Sequence, residues 1–335
     1  MPAFSPATPP TMTLDDLVSA AHVVALPMNT RFRGVTVREA VVFEGPYGWA
    51  EFSPFVEYDD REAAVWLQAA MSDATQPRPH SFRDSIRVNA TVPAVAAQSV
   101  PDVLARFDGC RTAKVKVAER GQNLDDDIAR VAAVREVMGP AGRIRIDANG
   151  GWSVDEAERA ISRLVEYDLE YVEQPCASVP ELAAVRARIH PTGILIAADE
   201  SVRKAADPLA VARAEAADLL VIKAQPLGGI DAALRIVAEA GLPVVVSSAL
   251  DTAVGLSLGA GLAASLPQLA GDCGLGTAAL MADDLAPARP IAGYVSTQRV
   301  IPDAAALRRL AAPADRRQWW LDRVRRCYAV LSQRG

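Results

Sequence analysis

Five charged residues recur at even intervals through the middle of the chain. Lys116, Asp147, Glu173, Asp199 and Lys223 are separated by 31, 26, 26 and 24 residues. Each stands at or just past the C-terminal end of a short apolar run: AKVKV, RIRID, YVE, ILIAAD and LLVIK. Lys114 precedes Lys116 by two, so both lysines lie on one side of a strand and Val115 and Val117 on the other. Three carboxylates with no histidine among them form an oxygen-only donor set, which suits a hard cation, Mg²⁺ or alternatively Mn²⁺, rather than zinc. Buried like charges repel strongly unless a cation joins them. A lysine beside a second ammonium and a metal is expected to fall below its ordinary pKa of about 10.4, the direction that suits a general base. The chemistry predicted is abstraction of a proton α to a carboxylate, with a metal stabilising the dianion that results.

These residues need a frame that brings strand ends together. A repeat of roughly 25 residues carrying one strand and one helix is the unit of a (β/α)₈ barrel, whose strand ends open onto one face. The sequence therefore predicts an α/β fold: a modified (β/α)₈ barrel with an N-terminal α+β capping domain completed by the C-terminal segment. The expected divisions are a mobile tail at 1–12, the capping domain at 13–84, the barrel at 85–282 and a segment at 283–335 that packs back on the cap. The cap opens with three strands, HVVALPM, VTVREAVVFEG and WAEFSPF, the first two joined by NTRFRG at 29–34, which would overhang the barrel mouth. IRVNATVPA reads as the first barrel strand, LPVVVSSAL as the seventh and CGLGT as a weak eighth. Ser153 with Glu156 three residues on predicts a capped helix. QWWLDRVRRCYAVL reads as an amphipathic helix docked by its apolar stripe.

Composition narrows the partners. The 335 residues carry a net charge of −6, which argues against nucleic acid or a membrane surface. Residues 252–271 are uncharged but interrupted by glycines and Pro267, so a small-residue helix packed on the barrel is expected there rather than a membrane span. Four scattered cysteines without a CxxC pair predict reduced thiols and a cytoplasmic protein. The oligomeric state stays open, and a monomer would suffice.

The KVK strand, Asp147 in RIDANGGW, Glu173 in YVEQP, Asp199 in AADES and Lys223 in VIKAQPLGG together resemble the enolase superfamily across essentially the whole chain. That resemblance implies a capping domain, a modified barrel and one Mg²⁺ held by Asp147, Glu173 and Asp199. With no histidine beyond His190, the pattern resembles the muconate-lactonizing group rather than mandelate-racemase-like members. Within that group it is most similar to actinobacterial-type o-succinylbenzoate synthases, on DANGGW, YVEQPC, VVVSSALDTAVGLS and DCGLGTAALMADDL. Dipeptide epimerases carry an Asp-x-Asp near strand eight for the substrate ammonium. Here a single Asp272 is followed by Gly274 and Gly276, which leave room for an uncharged part of a ligand. The implied reaction is a syn dehydration of a small dianionic carboxylate, with Lys116 as base and then acid and Lys223 on the opposite face. Lys114 and Asn149 are implied to touch the substrate carboxylate or the metal. Ser247 and Ser248 either hold the succinyl carboxylate or cap the next helix. Arg31 and Arg33 either meet the substrate or are solvated surface residues. The competing readings are an N-acylamino acid racemase using both lysines as bases, or a bifunctional enzyme, and then a non-catalytic barrel scaffold.

Overall fold

The computed structural model describes residues 12–203 and 207–333. The expected mobile tail falls outside them except for Met12, which is buried. After a helix at Leu14–Ala20, strands β1 (His22–Phe32), β2 (Val35–Gly45) and β3 (Gly48–Phe52) form an antiparallel sheet in that order. β1 runs through most of NTRFRG, so the reversal takes only Arg33 and Gly34, with φ of 51° and 79°. Two positive φ angles give the hairpin whose twist matches its strands. The overhang is therefore a tight tip and not a six-residue loop.

The Asp60–Thr75 helix covers this sheet, capped by the Asp59 carboxylate. Along it lies the Ala314–Ser332 helix, whose apolar and aromatic side chains face inward. Trp320 meets the Phe52 ring edge-on at 5.9 Å and donates to Glu39 at 2.9 Å. Arg323 is wholly buried and donates to the carbonyls of Tyr58 (2.5 Å) and Phe55 (3.1 Å). At the rim Arg326 pairs with Asp60 at 2.7 Å.

The expected first barrel strand splits into β4 (Ser85–Arg87) and β5 (Ala90–Val92). The break arises because Val88 and Asn89 donate to different partners, the carbonyls of Gly293 and Cys273, each at 2.9 Å. From β5 the sheet continues in chain order through β6 (Thr112–Lys116), β7 (Arg143–Asp147), β8 (Leu169–Glu173), β9 (Leu195–Ala198), β10 (Leu219–Ile222) and β11 (Val244–Val246), all parallel. Cys273 and Gly274 then make parallel bridges to Val88 and Ser247, so a two-residue eighth segment closes the ring. A last strand, β12 (Tyr294–Ser296), pairs antiparallel with β4. The expected PLAVARAEA helix is only a single turn, Ala210–Arg213, and Glu215 reverses the chain with φ of 49°.

Side chains alternate across each barrel strand. Ala113 and Val115 are fully buried in the main core, which extends beneath the helices. Inside the ring a separate apolar cluster of Tyr171, Ala197, Leu219, Val221 and Val245 fills the middle. Charged side chains form a layer above it. The uncharged stretch becomes the Ala253–Ser265 helix, every residue of which is buried. A Cβ at Gly255 would stand 2.7 Å from the Glu51 carboxylate, which explains a glycine where helix and cap sheet meet. Among the described residues no helix is long and apolar enough to cross a membrane.

Beside the start of this helix, the Asp284 carboxylate accepts from the amides of Ala253 (3.0 Å) and Leu285 (2.7 Å) through Oδ1, while its buried Oδ2 has no partner. Burial pushes Asp284 up to about 7, against those two bonds. The folded state thus binds this proton more tightly than the unfolded chain, so stability falls as pH rises through the window from about 4 to about 7. Asp284→Asn keeps both accepted bonds and should raise Tm by a few degrees at pH 8, with the gain gone at pH 3.5. A pH series of thermal melts checks this, and a lower Tm at pH 8 would count against it.

Candidate active site

The repeat places its charges where expected. Lys116, Asp147 and Glu173 are the last residues of β6, β7 and β8, and Asp199 and Lys223 follow β9 and β10 directly. Lys116 is the Cα partner of Asp147, and Asp147 of Glu173, so three charges sit at one level. Both lysines of β6 face the barrel interior. Lys116 Nζ lies 2.6 Å from both Asp147 Oδ2 and Asn149 Oδ1. Lys114 Nζ bridges Glu173 (2.8 and 3.1 Å) and Asp147 (3.1 Å). Lys223, four strands from Lys116 around a ring of eight, pairs with Asp199 Oδ2. Arg203 holds the other oxygen of Asp199 at 3.0 Å and reaches Glu200 at 2.6 Å and the Tyr58 hydroxyl at 3.1 Å.

Burial and neighbouring charge compete for each group. Burial opposes ionisation of Asp147, but Lys116 and Lys114 hold it well below the usual carboxylate range. Asp199 is lowered in the same way, by Lys223 and Arg203 against burial. Glu173 goes the other way, raised to about 7 by burial and the Asp147 charge, with Lys114 opposing. Lys223 is lowered by burial, with Asp199 opposing and Arg203 assisting. Lys114 is shifted in the opposite direction to Lys223. It is raised well above its ordinary value despite burial, because Glu173 and Asp147 flank it.

The expected grip of three carboxylates on one ion is not drawn in this arrangement. Each acid is turned to an ammonium, and among the described residues no three acidic, histidine or cysteine side chains gather closely enough to share an ion. The donor chemistry does fit a hard cation. Three neighbouring strands deliver only carboxylate oxygens, all buried, and burial together with the Asp147 charge raises Glu173 to about 7, a penalty that a shared cation would relieve.

The cap forms the roof. Phe32 and Arg33 at the hairpin tip and Phe55 beyond β3 line the mouth with Lys114, Lys116, Asp147, Asn149, Asp199 and Lys223. The face of the Phe32 ring lies 5.3 Å from Lys116 Nζ, and Arg33 stacks on Phe55 at 4.8 Å. Arg31 is exposed and does not reach the mouth. The open space inside is about 30 Å³, room for a water or two, where ligand pockets measure roughly 300–1,000 Å³. Ser247 and Ser248 line the mouth and donate to the Gly274 carbonyl at 3.4 and 3.0 Å. The next helix is capped by Thr252, so capping is not their role. Gly274 also lines the mouth, where a Cβ would meet Ser247 Oγ at 2.4 Å. Gly276 does not, and its missing Cβ relieves the Asn89 carbonyl instead. Asp272 lies at the opposite end of the barrel, against Thr112, Arg143 and Arg87, far from any ligand ammonium in the mouth.

Several residues were not legible in the repeat. Arg203 and Glu200 follow Asp199 on a short turn, and Phe32 and Phe55 come from the cap. Gln174 accepts from the amides of Asp199 (3.0 Å) and Ser201 (3.2 Å). Asn149 and Gln174 adopt φ of 46° and 41°, and Ala118, just past β6, has φ of 58°. Left-handed non-glycine residues cost energy and cluster at functional sites.

Fold and site define a capped α/β barrel with facing lysines over a row of acids, the layout of an acid–base enzyme. Residues 97–297 match the enolase C-terminal domain-like family and residues 23–74 the enolase N-terminal domain-like family. A muconate lactonizing enzyme from Pseudomonas fluorescens shares the fold, with a TM-score of 0.74 over 88% of this chain and 98% of that one, at 18% identity. So does the L-Ala-D/L-Glu epimerase from Bacillus subtilis (TM-score 0.70, 82% and 94% covered, 23% identity). The o-succinylbenzoate synthase of Mycolicibacterium smegmatis is 56% identical over 320 residues, 95% of this chain and 98% of that protein. That of Mycobacterium tuberculosis is 55% identical over 328 residues (97% and 98%). The chain belongs to the enolase superfamily and, within it, to the o-succinylbenzoate synthase family.

The left-handed residues at the strand ends give a direct test. Ala118→Gly relieves a strained backbone position at the cost of extra freedom in the unfolded chain. It should leave Tm unchanged or raise it by a degree or two. A fall equivalent to about 1 kcal/mol, as for Ala→Gly inside a helix, would show that the position is not strained.

Proposed function

We propose that this chain is an o-succinylbenzoate synthase, removing water from 2-succinyl-6-hydroxy-2,4-cyclohexadiene-1-carboxylate to give 2-succinylbenzoate on the way to menaquinone. The observation that supports it most is the pair of lysines, Lys116 and Lys223, facing each other across a roofed mouth of buried carboxylates. The near-full-length identity to curated synthases supports the same reading.

In this reading Lys116 Nζ takes the proton α to the ring carboxylate. It then returns that proton to the departing hydroxide as the C–O bond breaks on the same face, which makes the elimination syn. Lys223 stands on the other face, where its charge stabilises the delocalised anion. Lys114 and Asn149, whose polar atoms border the mouth, orient the ring carboxylate. The hydroxyls of Ser247 and Ser248 donate to the succinyl carboxylate, and Arg33 meets the dianion as the hairpin tip closes. Asp147, Glu173 and Asp199 are the residues that would hold Mg²⁺, which supplies positive charge to offset the second negative charge on the deprotonated substrate. We further read residues 13–84 as the cap, 85–282 as the barrel and 283–335 as the returning segment. Four unpaired cysteines suit a reducing cytoplasm.

Lys116→Ala should lower kcat about a thousandfold or more. Lys114 still neutralises Asp147 in that variant, so Mg²⁺ binding and Tm should be nearly retained. An active variant would reject the base assignment. Glu173→Gln should weaken Mg²⁺ at least tenfold by calorimetry, and an unchanged titration would remove it from the ligand set. The racemase alternative is read in D₂O with an N-succinylamino acid. Deuterium uptake faster than dehydration of the cyclohexadiene substrate would favour it.

A further inference from the structure

A larger space lies at the other end of the barrel. A cleft of about 860 Å³ opens at the N-terminal ends of the strands, on the face away from the lysines. Arg83, Arg87, Arg111 and Arg143 line it, against a single carboxylate, Asp272. Asp272 is buried and already fully engaged, taking Thr112 Oγ1 at 2.7 Å, Arg143 at 3.1 Å and Arg87 at 3.5 Å. Arg83 is fixed by the carbonyls of Ala263 (2.6 Å) and Pro267 (2.9 Å), which leave its charge unneutralised. Arg111 is exposed and has no side-chain partner among the described residues. Behind the floor, Arg145 is wholly buried, and its Nη2 has no hydrogen-bond partner. That nitrogen lies 2.5 Å from where a Cβ on Gly271, a lining residue, would stand.

Stability does not account for this grouping. Half-exposed arginine–carboxylate pairs contribute only about 0–1 kcal/mol, and one carboxylate cannot balance four guanidinium groups. A chain with net charge −6 gains nothing in general solubility from collecting like charges in a concave site. Guanidinium forks match carboxylate and phosphate oxygens two at a time, and a cleft lined by one sign of charge concentrates the opposite ion.

We propose that this cleft binds a small, multiply charged oxyanion bearing phosphate or carboxylate groups, held by Arg87, Arg111 and Arg143. Such a ligand competes with Asp272 for two of its arginines. Asp272 leads directly into Cys273 and Gly274, the segment that closes the barrel, and the Gly274 carbonyl accepts from Ser248 in the mouth. The two ends of one three-residue segment therefore touch the two sites.

The test is calorimetric titration of the full chain with pyrophosphate and, separately, with citrate, each at an ionic strength held constant by sodium chloride. One site per chain is expected. Arg111→Ala should weaken it about tenfold or more, with partial recovery in Arg111→Lys, and Lys116→Ala should leave it unchanged. Pyrophosphate binding without citrate binding marks a phosphate site, the converse a polycarboxylate site, and either supports the proposal. Because Arg111 is exposed, its loss does not threaten folding as loss of Arg143 could. Failure of both anions to bind at millimolar concentration, binding indifferent to Arg111→Ala, or binding abolished by Lys116→Ala would each overturn it. None of these outcomes depends on the chemistry proposed for the mouth.

Discussion

Charge balance inside the barrel mouth is the constraint on which the remainder hangs. Lys114, Lys116, Lys223 and Arg203 face Asp147, Glu173, Asp199 and Glu200, four cations against four carboxylates. Ions in such a place cost several kcal/mol each to desolvate, and only close pairing offsets that. Pairing in turn depends on strand register, since Lys116 opposite Asp147 and Asp147 opposite Glu173 are Cα partners in the sheet. A slip of one residue would turn each of these side chains into the apolar layer under the helices. The same register that packs Val115 and Ile146 outward therefore assembles the polar layer inward.

The cap is tied to this layer by a second buried network. Arg38 of β2 donates to the carbonyls of Leu250 (2.9 Å), Ala249 (3.3 Å) and Ser53. Glu51 of β3 takes the amides of Thr252 (3.1 Å) and Gly255 (3.0 Å) at the start of the buried helix. Asp251 between them is pushed up to about 7 by burial and the Glu51 charge, with Arg38 opposing. Ser247 to Leu250 line the mouth, so the cap sheet holds one wall of the site as well as roofing it. The Arg33–Gly34 tip lies beyond this network, with Arg33 stacked on Phe55.

The strand-end residues were legible in the sequence because a barrel repeats, and a repeat turns spacing into position. Lys116, Asp147, Glu173, Asp199 and Lys223 needed only the period of the apolar runs to be placed together. What the period could not convey is which neighbour each charge would choose. Lys114 sits between Glu173 and Asp147, which together raise it against burial. The hairpin is shorter than expected because NTRFRG, polar apart from Phe32, reads as a loop, while only Arg33-Gly34 carries the backbone signal for reversal. Phe32, Phe55 and Arg203 have no periodic signature at all. The split at Val88–Asn89 follows from contacts with residues some 185–205 positions away, which no local pattern encodes.

Hydrogen bonds along a parallel sheet stop at the strand ends, just where the chemistry needs fixed spacing. Here two amide side chains continue the connection. Asn149 accepts from Lys116 and donates to Glu200 at 3.2 Å, joining the end of β6 to the turn after β9. Gln174 receives the Asp199 and Ser201 amides and so joins the end of β8 to the same turn. Both backbones turn left-handed just past the strand, where their side chains bond neighbouring strand ends. The cost of that conformation is of order 1–3 kcal/mol per residue, and it is met by bonds that only this arrangement allows. Preorganisation at the mouth thus comes from strained amides bridging strand ends, while the sheet below sets their level.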